Sequence, residues 1–128
     1  MNLLLDSQIF LWWSDAPERL SRPSLAALHD PDNALILSVV SVWEIQIKLH
    51  TGKLKITSSI EHLVETQQNV NSVRVLPVYL EHVYHLGSLP AIHKDPFDRL
   101  LIAQAIAEDL TLVSADAVFN RYPVSVLW

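Results

Sequence analysis

Residues 93–115, "HKDPFDRLLIAQAIAEDLTLVSA", hold a helix start, an apolar helix and a strand with almost nothing between them. Asp95 before Pro96 is a strong helix-start signal: the acid caps free backbone N–H groups, and proline suits a first turn, where its missing N–H is not needed. The helix is expected to run to about Asp109, and "TLVSA" reads as the strand that follows. One acid at the mouth of such a helix is ordinary, but Asp98 is a second. Leu101, Ile102 and Ala105 lie three, four and seven residues on and share its face. The helix dipole favours an acid there by only about 0.3–1 kcal/mol. Burying an unpaired carboxylate costs several kcal/mol. If Asp98 points along the buried stripe, the dipole does not offset that cost, whereas a cation does.

Outward from this stretch the same alternation recurs. "NLLLD" (2–6) is a short, wholly apolar strand of the kind buried on both faces of a parallel sheet. "SQIFLWW" (7–13) reads as a short helix, and Ser21 with Pro23 starts another over 21–30. "ALILSVV" (34–40) is a second strand, followed by a helix over 41–52 that stops at Gly52. An amphipathic helix over 58–69 has Ser58 or Ser59 as its cap. "VRVLPV" (73–78) is a third strand, 79–89 a short helix ending at Gly87, and "VSVLW" (124–128) an edge strand. Strands alternating with helices argue for an α/β fold with a mainly parallel sheet. Ligands in such sheets bind outside the carboxyl ends of the strands.

A chain of 128 residues, half apolar and 18% charged, is long enough to bury a core and reads as one domain, 1–128. The absence of cysteine excludes disulfides, thiolate metal sites and cysteine nucleophiles, and fits a reducing cytoplasm. The N-terminus lacks a basic leader, and Asp6 interrupts its apolar run, so it makes a poor signal peptide. The uncharged run from Ala34 to Trp43 is far shorter than the ~20 residues of a spanning helix, so a soluble protein away from the membrane is expected. A net charge of −5 argues against a passive nucleic-acid binder. A bound divalent cation changes that reading, because it becomes the largest positive charge in its site.

Four acids fall where strand ends can gather them. Asp6 closes the first strand, Asp116 lies just past the fourth, Asp98 opens the helix before the fourth, and Glu44 is on the helix after the second. Each has an ordinary explanation too. Asp6 and Asp116 can cap the turns that follow them, and Glu44 can pair with Lys48 four residues on. Without cysteine, such a set suits a hard ion, Mg²⁺ or Mn²⁺. The six histidines show no HExxH-like spacing; His82 and His85, three apart, read as surface polar positions. No G-x-S-x-G elbow, Walker A loop or G-x-G-x-x-G loop is present. Lys48, Lys53, Lys94 and Arg99 are candidates to steer a nucleic-acid backbone. Trp12, Trp13 and Trp43 read as core, an exposed one being suited to a partner helix or a stacked base.

Four segments in order, "LLLDSQIFLWW", "SVVSVWEIQIKL" followed by "GKL", "HKDPFDRLLIAQA" and "TLVSADAVFNRY", resemble the PIN-domain family, and within it the VapC-like toxins of type II toxin–antitoxin pairs. The resemblance covers nearly the whole chain. It implies a three-layer α/β/α sandwich and an endoribonuclease needing Mg²⁺ or Mn²⁺, acting on an RNA substrate as a homodimer and blocked by a cognate antitoxin. Carried over by motif, the catalytic, metal-binding acids would be Asp6, Glu44, Asp98 and Asp116, with Ser7 and Ser114 as supporting hydroxyls and Asp95 belonging to the "DPFDR" form. Two other readings compete: a non-catalytic interaction module using the acids as caps and ion pairs, and a metal-dependent phosphatase or DNase on the same site.

Overall fold

A computed structural model describes residues 1–128. Its elements run β1 (Asn2–Leu5), α1 (Ser7–Asp15), α2 (Arg22–His29), β2 (Ala34–Ser38), α3 (Val39–His50), α4 (Ile60–Asn71), β3 (Arg74–Leu76), α5 (Leu80–His85), α6 (Pro96–Ala107), β4 (Thr111–Val113) and β5 (Val126–Leu127), with short 3₁₀ turns between several of them. All four strand pairings are parallel, in the order β3-β2-β1-β4-β5. The α/β class and the mainly parallel sheet are as the sequence led one to expect.

Strand side chains alternate between faces, and both faces of this sheet are apolar. Leu3, Leu5, Leu35, Leu37 and Val113 join Ile9, Phe10, Leu28, Ile45 and Ile60 in a core beneath α1–α4. Leu4, Ile36 and Leu112 join Leu101, Ile102 and Ala105 of α6, with Phe119 and Tyr122, on the other side. Helices therefore cover both faces and make three layers. No helix is long and apolar enough to cross a membrane.

The differences from the sequence reading have local causes. The second strand stops at Ser38, not Val40, because the Ser38 hydroxyl accepts from the Val40 N–H and starts α3 two residues early. The third strand is cut to three residues before Pro77, which has no N–H for a ladder. Helix α6 closes at Ala107: Asp109 takes a left-handed φ of 53°, and the Leu110 N–H donates back to the Ala105 carbonyl. Trp13 is buried as expected and Trp12 half-buried, but Trp43 is 56% exposed, its ring edge-to-face on Phe97.

The placement of His82 at the surface is corrected. Its ring is wholly inaccessible, held by groups distant in sequence. Nδ1 accepts from the Tyr79 N–H at 3.0 Å, which leaves Nε2–H to donate to Glu108 at 2.8 Å. Gln104 lies 3.3 Å from Nδ1, donates to the Pro77 carbonyl and accepts from the Ser38 hydroxyl. This chain ties α5 and α6 to the end of β2. Replacing His82 with leucine leaves one N–H of the buried Gln104 without its acceptor and removes the partner of the part-buried Tyr79 N–H, at a cost of about 1–3 kcal/mol. Urea unfolding of His82→Leu should show a loss in that range; a change under about 0.5 kcal/mol, the size of a surface substitution, would contradict the network.

Candidate active site

The chain leaves β1 towards β2 and β3, then returns to lay β4 on the other side of β1. That reversal opens a crevice at the carboxyl ends of β1 and β4. The Asp6 N–H donates to the Val113 carbonyl at 3.2 Å and closes the β1–β4 seam at this point. A cleft of about 490 Å³ there is lined by Asp6, Ser7, Glu44, Lys48, Asp95, Asp98 and Asp116, together with Gln8, Trp12, His93, Ala115 and Phe119.

Asp6, Glu44, Asp95 and Asp116 each do the ordinary job foreseen for them, and still face the cleft. Asp6 caps α1, its Oδ1 accepting from the Ile9 N–H at 2.7 Å. Burial pushes its carboxyl up to about 6; the charges of Glu44 and Asp116 add to this, while the Ser114 hydroxyl and the Ile9 N–H oppose it. Glu44 accepts from the Ser7 hydroxyl at 2.7 Å through Oε1 and meets Lys48 at 3.5 Å through Oε2. Asp95 caps α6, one oxygen accepting from the N–H groups of Phe97 and Asp98. Asp116 accepts from the Val118 N–H at 3.0 Å, and its own N–H donates to the buried Ser114.

Asp98 is also pushed up to about 6, first by burial and then by the charges of Asp95 and Glu44, against a hydrogen bond and opposite charge from His93. Capping explains Asp95, Asp6 and Asp116 locally. It does not explain Asp98, which caps nothing and lies among other acids.

Of the basic candidates, Lys48 lines the cleft, while Lys53 and Lys94 are exposed outside its lining. The Arg99 guanidinium is committed to the chain itself, donating to the Pro90 carbonyl at 2.8 Å and to the Tyr122 hydroxyl at 3.3 Å. Sequence reasoning passed over His93, whose Nε2 is 2.8 Å from Asp98 Oδ2. Its one signal was position, two residues before the helix cap.

The donor set fits a hard divalent cation. The cleft gathers five carboxylates against one lysine and one histidine, and two of the five resist ionising without a counter-charge. The tightest group is His93, Asp95 and Asp98, with ligand atoms within 4.8 Å of one another; no three of Asp6, Glu44, Asp98 and Asp116 approach that closely. Spread donors suit an ion such as Mg²⁺, which keeps several of its waters.

Comparison with known proteins agrees with this architecture. The family model described as PIN domain matches residues 3–124. The chain belongs to the PIN-domain family. It is 29% identical over 116 residues to Ribonuclease VapC22 of Mycobacterium tuberculosis (strain ATCC 25618 / H37Rv), covering 90% of this chain and 87% of that protein. The same fold occurs in a chain of the crystal structure of VapBC2 from Rickettsia felis bound to a DNA fragment from their promoter. That match has a TM-score of 0.72 at 19% identity, over 99% of this chain and 98% of that one. A chain of FitAcB from Neisseria gonorrhoeae matches at TM-score 0.62 and 17% identity, over 98% and 96% of the two chains.

The raised carboxyls fix the sign of a pH effect. Asp98 ionises near 6 in the fold and near 3.8 when unfolded. Its protonated form therefore costs nothing below about pH 4, and stability is lost as pH rises through 6. Asp98→Asn removes that loss. In metal-free buffer, the stability of wild type relative to Asp98→Asn should fall by about 1–2 kcal/mol between pH 4 and 7, less than the full shift implies because the carboxyl is partly open to solvent. Denaturation curves of the two proteins that stay parallel across this range would contradict the burial and crowding of Asp98.

Proposed function

We propose that this chain is a metal-dependent endoribonuclease and the toxin of a type II toxin–antitoxin pair. The observation that carries the proposal is the gathering of Asp6, Glu44, Asp98 and Asp116 on one cleft at the strand ends, with Asp6 and Asp98 lifted to about 6. The similarity to Ribonuclease VapC22 supports the choice of RNA as substrate.

Asp6, Glu44, Asp98 and Asp116 would hold Mg²⁺ or Mn²⁺, which when bound supplies an activated water and offsets charge on the phosphodiester. The remaining work falls to the chain. Ser7 fixes one oxygen of Glu44, and Lys48 balances the other. The Ile9 N–H fixes Asp6. Asp95 braces the start of α6 and so the height of Asp98 over the cleft. Lys48, at the cleft, and Lys53 and Lys94, outside it, supply positive charge for an RNA backbone that an acidic protein otherwise repels.

A cognate antitoxin partner is supported by the solved relatives, whose structures are of VapBC and FitAB pairs. Exposed apolar residues are also plentiful on this chain: Trp43, Tyr79, Leu80 and Tyr84 are each more than half exposed. Such surface is what a protein partner or a second copy in a homodimer would cover.

The non-catalytic reading draws on the caps made by Asp6, Asp95 and Asp116 and on the Glu44–Lys48 and Asp98–His93 pairs. It gives no reason for five carboxylates to crowd one cleft. Two asparagine variants separate the readings. Asparagine caps nearly as well as aspartate, so Asp95→Asn should keep both its melting temperature and its cleavage. Asp98→Asn should keep or raise metal-free stability while abolishing cleavage. Partner-free protein should cut RNA with Mg²⁺ or Mn²⁺ and stop in EDTA; the same assay on single-stranded DNA separates RNase from DNase. Undiminished cleavage in EDTA, or cleavage by Asp98→Asn with loss in Asp95→Asn, would overturn the assignment.

A further inference from the structure

His93 stands in the segment leading into α6, and its backbone is fastened at both polar groups. Its N–H donates to the Tyr122 hydroxyl at 2.8 Å, and its carbonyl accepts from Arg99 at 3.4 Å. Tyr122 is buried and also accepts from Arg99, which in turn grips the Pro90 carbonyl. The joint effect of these ties is to fix where the His93 ring sits, on the cleft wall, with Nε2 2.8 Å from Asp98 Oδ2.

Asp98 needs such a hold. It lies near the charges of Asp95 and Glu44, which favour swinging its carboxylate away from the cleft or keeping its proton. We infer that His93 is a positioning residue for Asp98: its Nε2–H takes up Oδ2, fixes the carboxylate's rotation, and leaves Oδ1 to the cation. Tyr122 and Arg99 act one step further out, by holding His93. An outer partner that orients a ligating group governs metal affinity without touching the ion, and its loss costs about 10–100-fold. The inference rests on the cation reading above and concerns which residue sets the affinity of that site.

The test is Mn²⁺ binding to the full-length, partner-free protein, followed by calorimetry and by electron spin resonance of the ion. Wild type and Asp98→Asn establish the site; His93→Ala, His93→Gln and Tyr122→Phe test the inference. His93→Ala should bind Mn²⁺ about 10–100-fold more weakly. His93→Gln, whose amide nitrogen stands near the place of the imidazole Nε2, should recover most of that affinity. Tyr122→Phe lies outside the cleft lining and should show a smaller loss of the same kind, which keeps the test alive if His93→Ala does not fold. In RNA cleavage, the His93→Ala defect should appear in the Mn²⁺ concentration needed, with the rate restored at saturating ion. Wild-type affinity in His93→Ala, or a His93→Gln variant as weak as His93→Ala, would overturn the role. So would a directly coupled ¹⁴N signal on Mn²⁺ that disappears in His93→Ala, which would make His93 a ligand. Wild-type protein that binds no Mn²⁺ would remove the cation reading itself, and the inference with it.

Discussion

β1 lies between β2 and β4 with Leu3, Leu4 and Leu5 wholly inaccessible, and most of the structure follows from that burial. Beyond the exposed Asn2 the strand has no polar position and no face to offer water, so it must be covered on both sides. The two cores do this, one beneath α1–α4 and one beneath α6. The first polar residue after β1 is then Asp6, at the edge of the sheet's interior, where the β1–β4 seam ends. The acid is held at the crevice because the strand before it cannot be anywhere else.

What gathers there is a set of like charges that the fold stabilises one at a time and opposes as a group. A helix cap contributes about 1 kcal/mol to Asp6 or Asp95. The rise of Asp6 and Asp98 to about 6 works against that gain at neutral pH. Natural chains keep such a conflict where the compensating partner arrives from outside. The His93–Asp98 and Lys48–Glu44 contacts relieve two of the acids in part and leave Asp6 and Asp116 with hydrogen bonds alone.

Much of this was legible in the sequence because its determinants are local. Short apolar runs marked β1, β2 and β4, and the Asp95–Pro96 pair marked the start of α6 to the residue. Asp6, Asp98 and Asp116 could be picked out because each stands next to a strand or at a helix mouth, whereas Glu44, in the middle of α3, was singled out only as an acid on the helix after β2. Residues whose place depends on distant partners were not legible. His82 and His85 look alike in sequence, yet only His82 finds Gln104 and Glu108, more than twenty positions away. His93 reads as a loop histidine until Tyr122 and Arg99 fasten its backbone. Arg99 reads in sequence as a surface cation, yet its Nη1 reaches back to the Pro90 and His93 carbonyls and the Tyr122 hydroxyl. Trp43 shares its helix with the buried Ile45 but lies on the outer face, a choice the weakly patterned apolar sequence of α3 left open.

The central physical claim is that the crowded carboxylates at the end of β1 and the mouth of α6 are completed by a cation. Since Asp6 and Asp98 each ionise near 6, a cation that binds them must displace protons at that pH. Calorimetric titration of the partner-free protein with Mn²⁺, in buffers of different ionisation enthalpy, counts those protons directly. Release of about one proton per protein at pH 6, falling towards zero by pH 8, is the expected result. Mn²⁺ binding with no proton release at pH 6, or no binding at either pH, would contradict the claim.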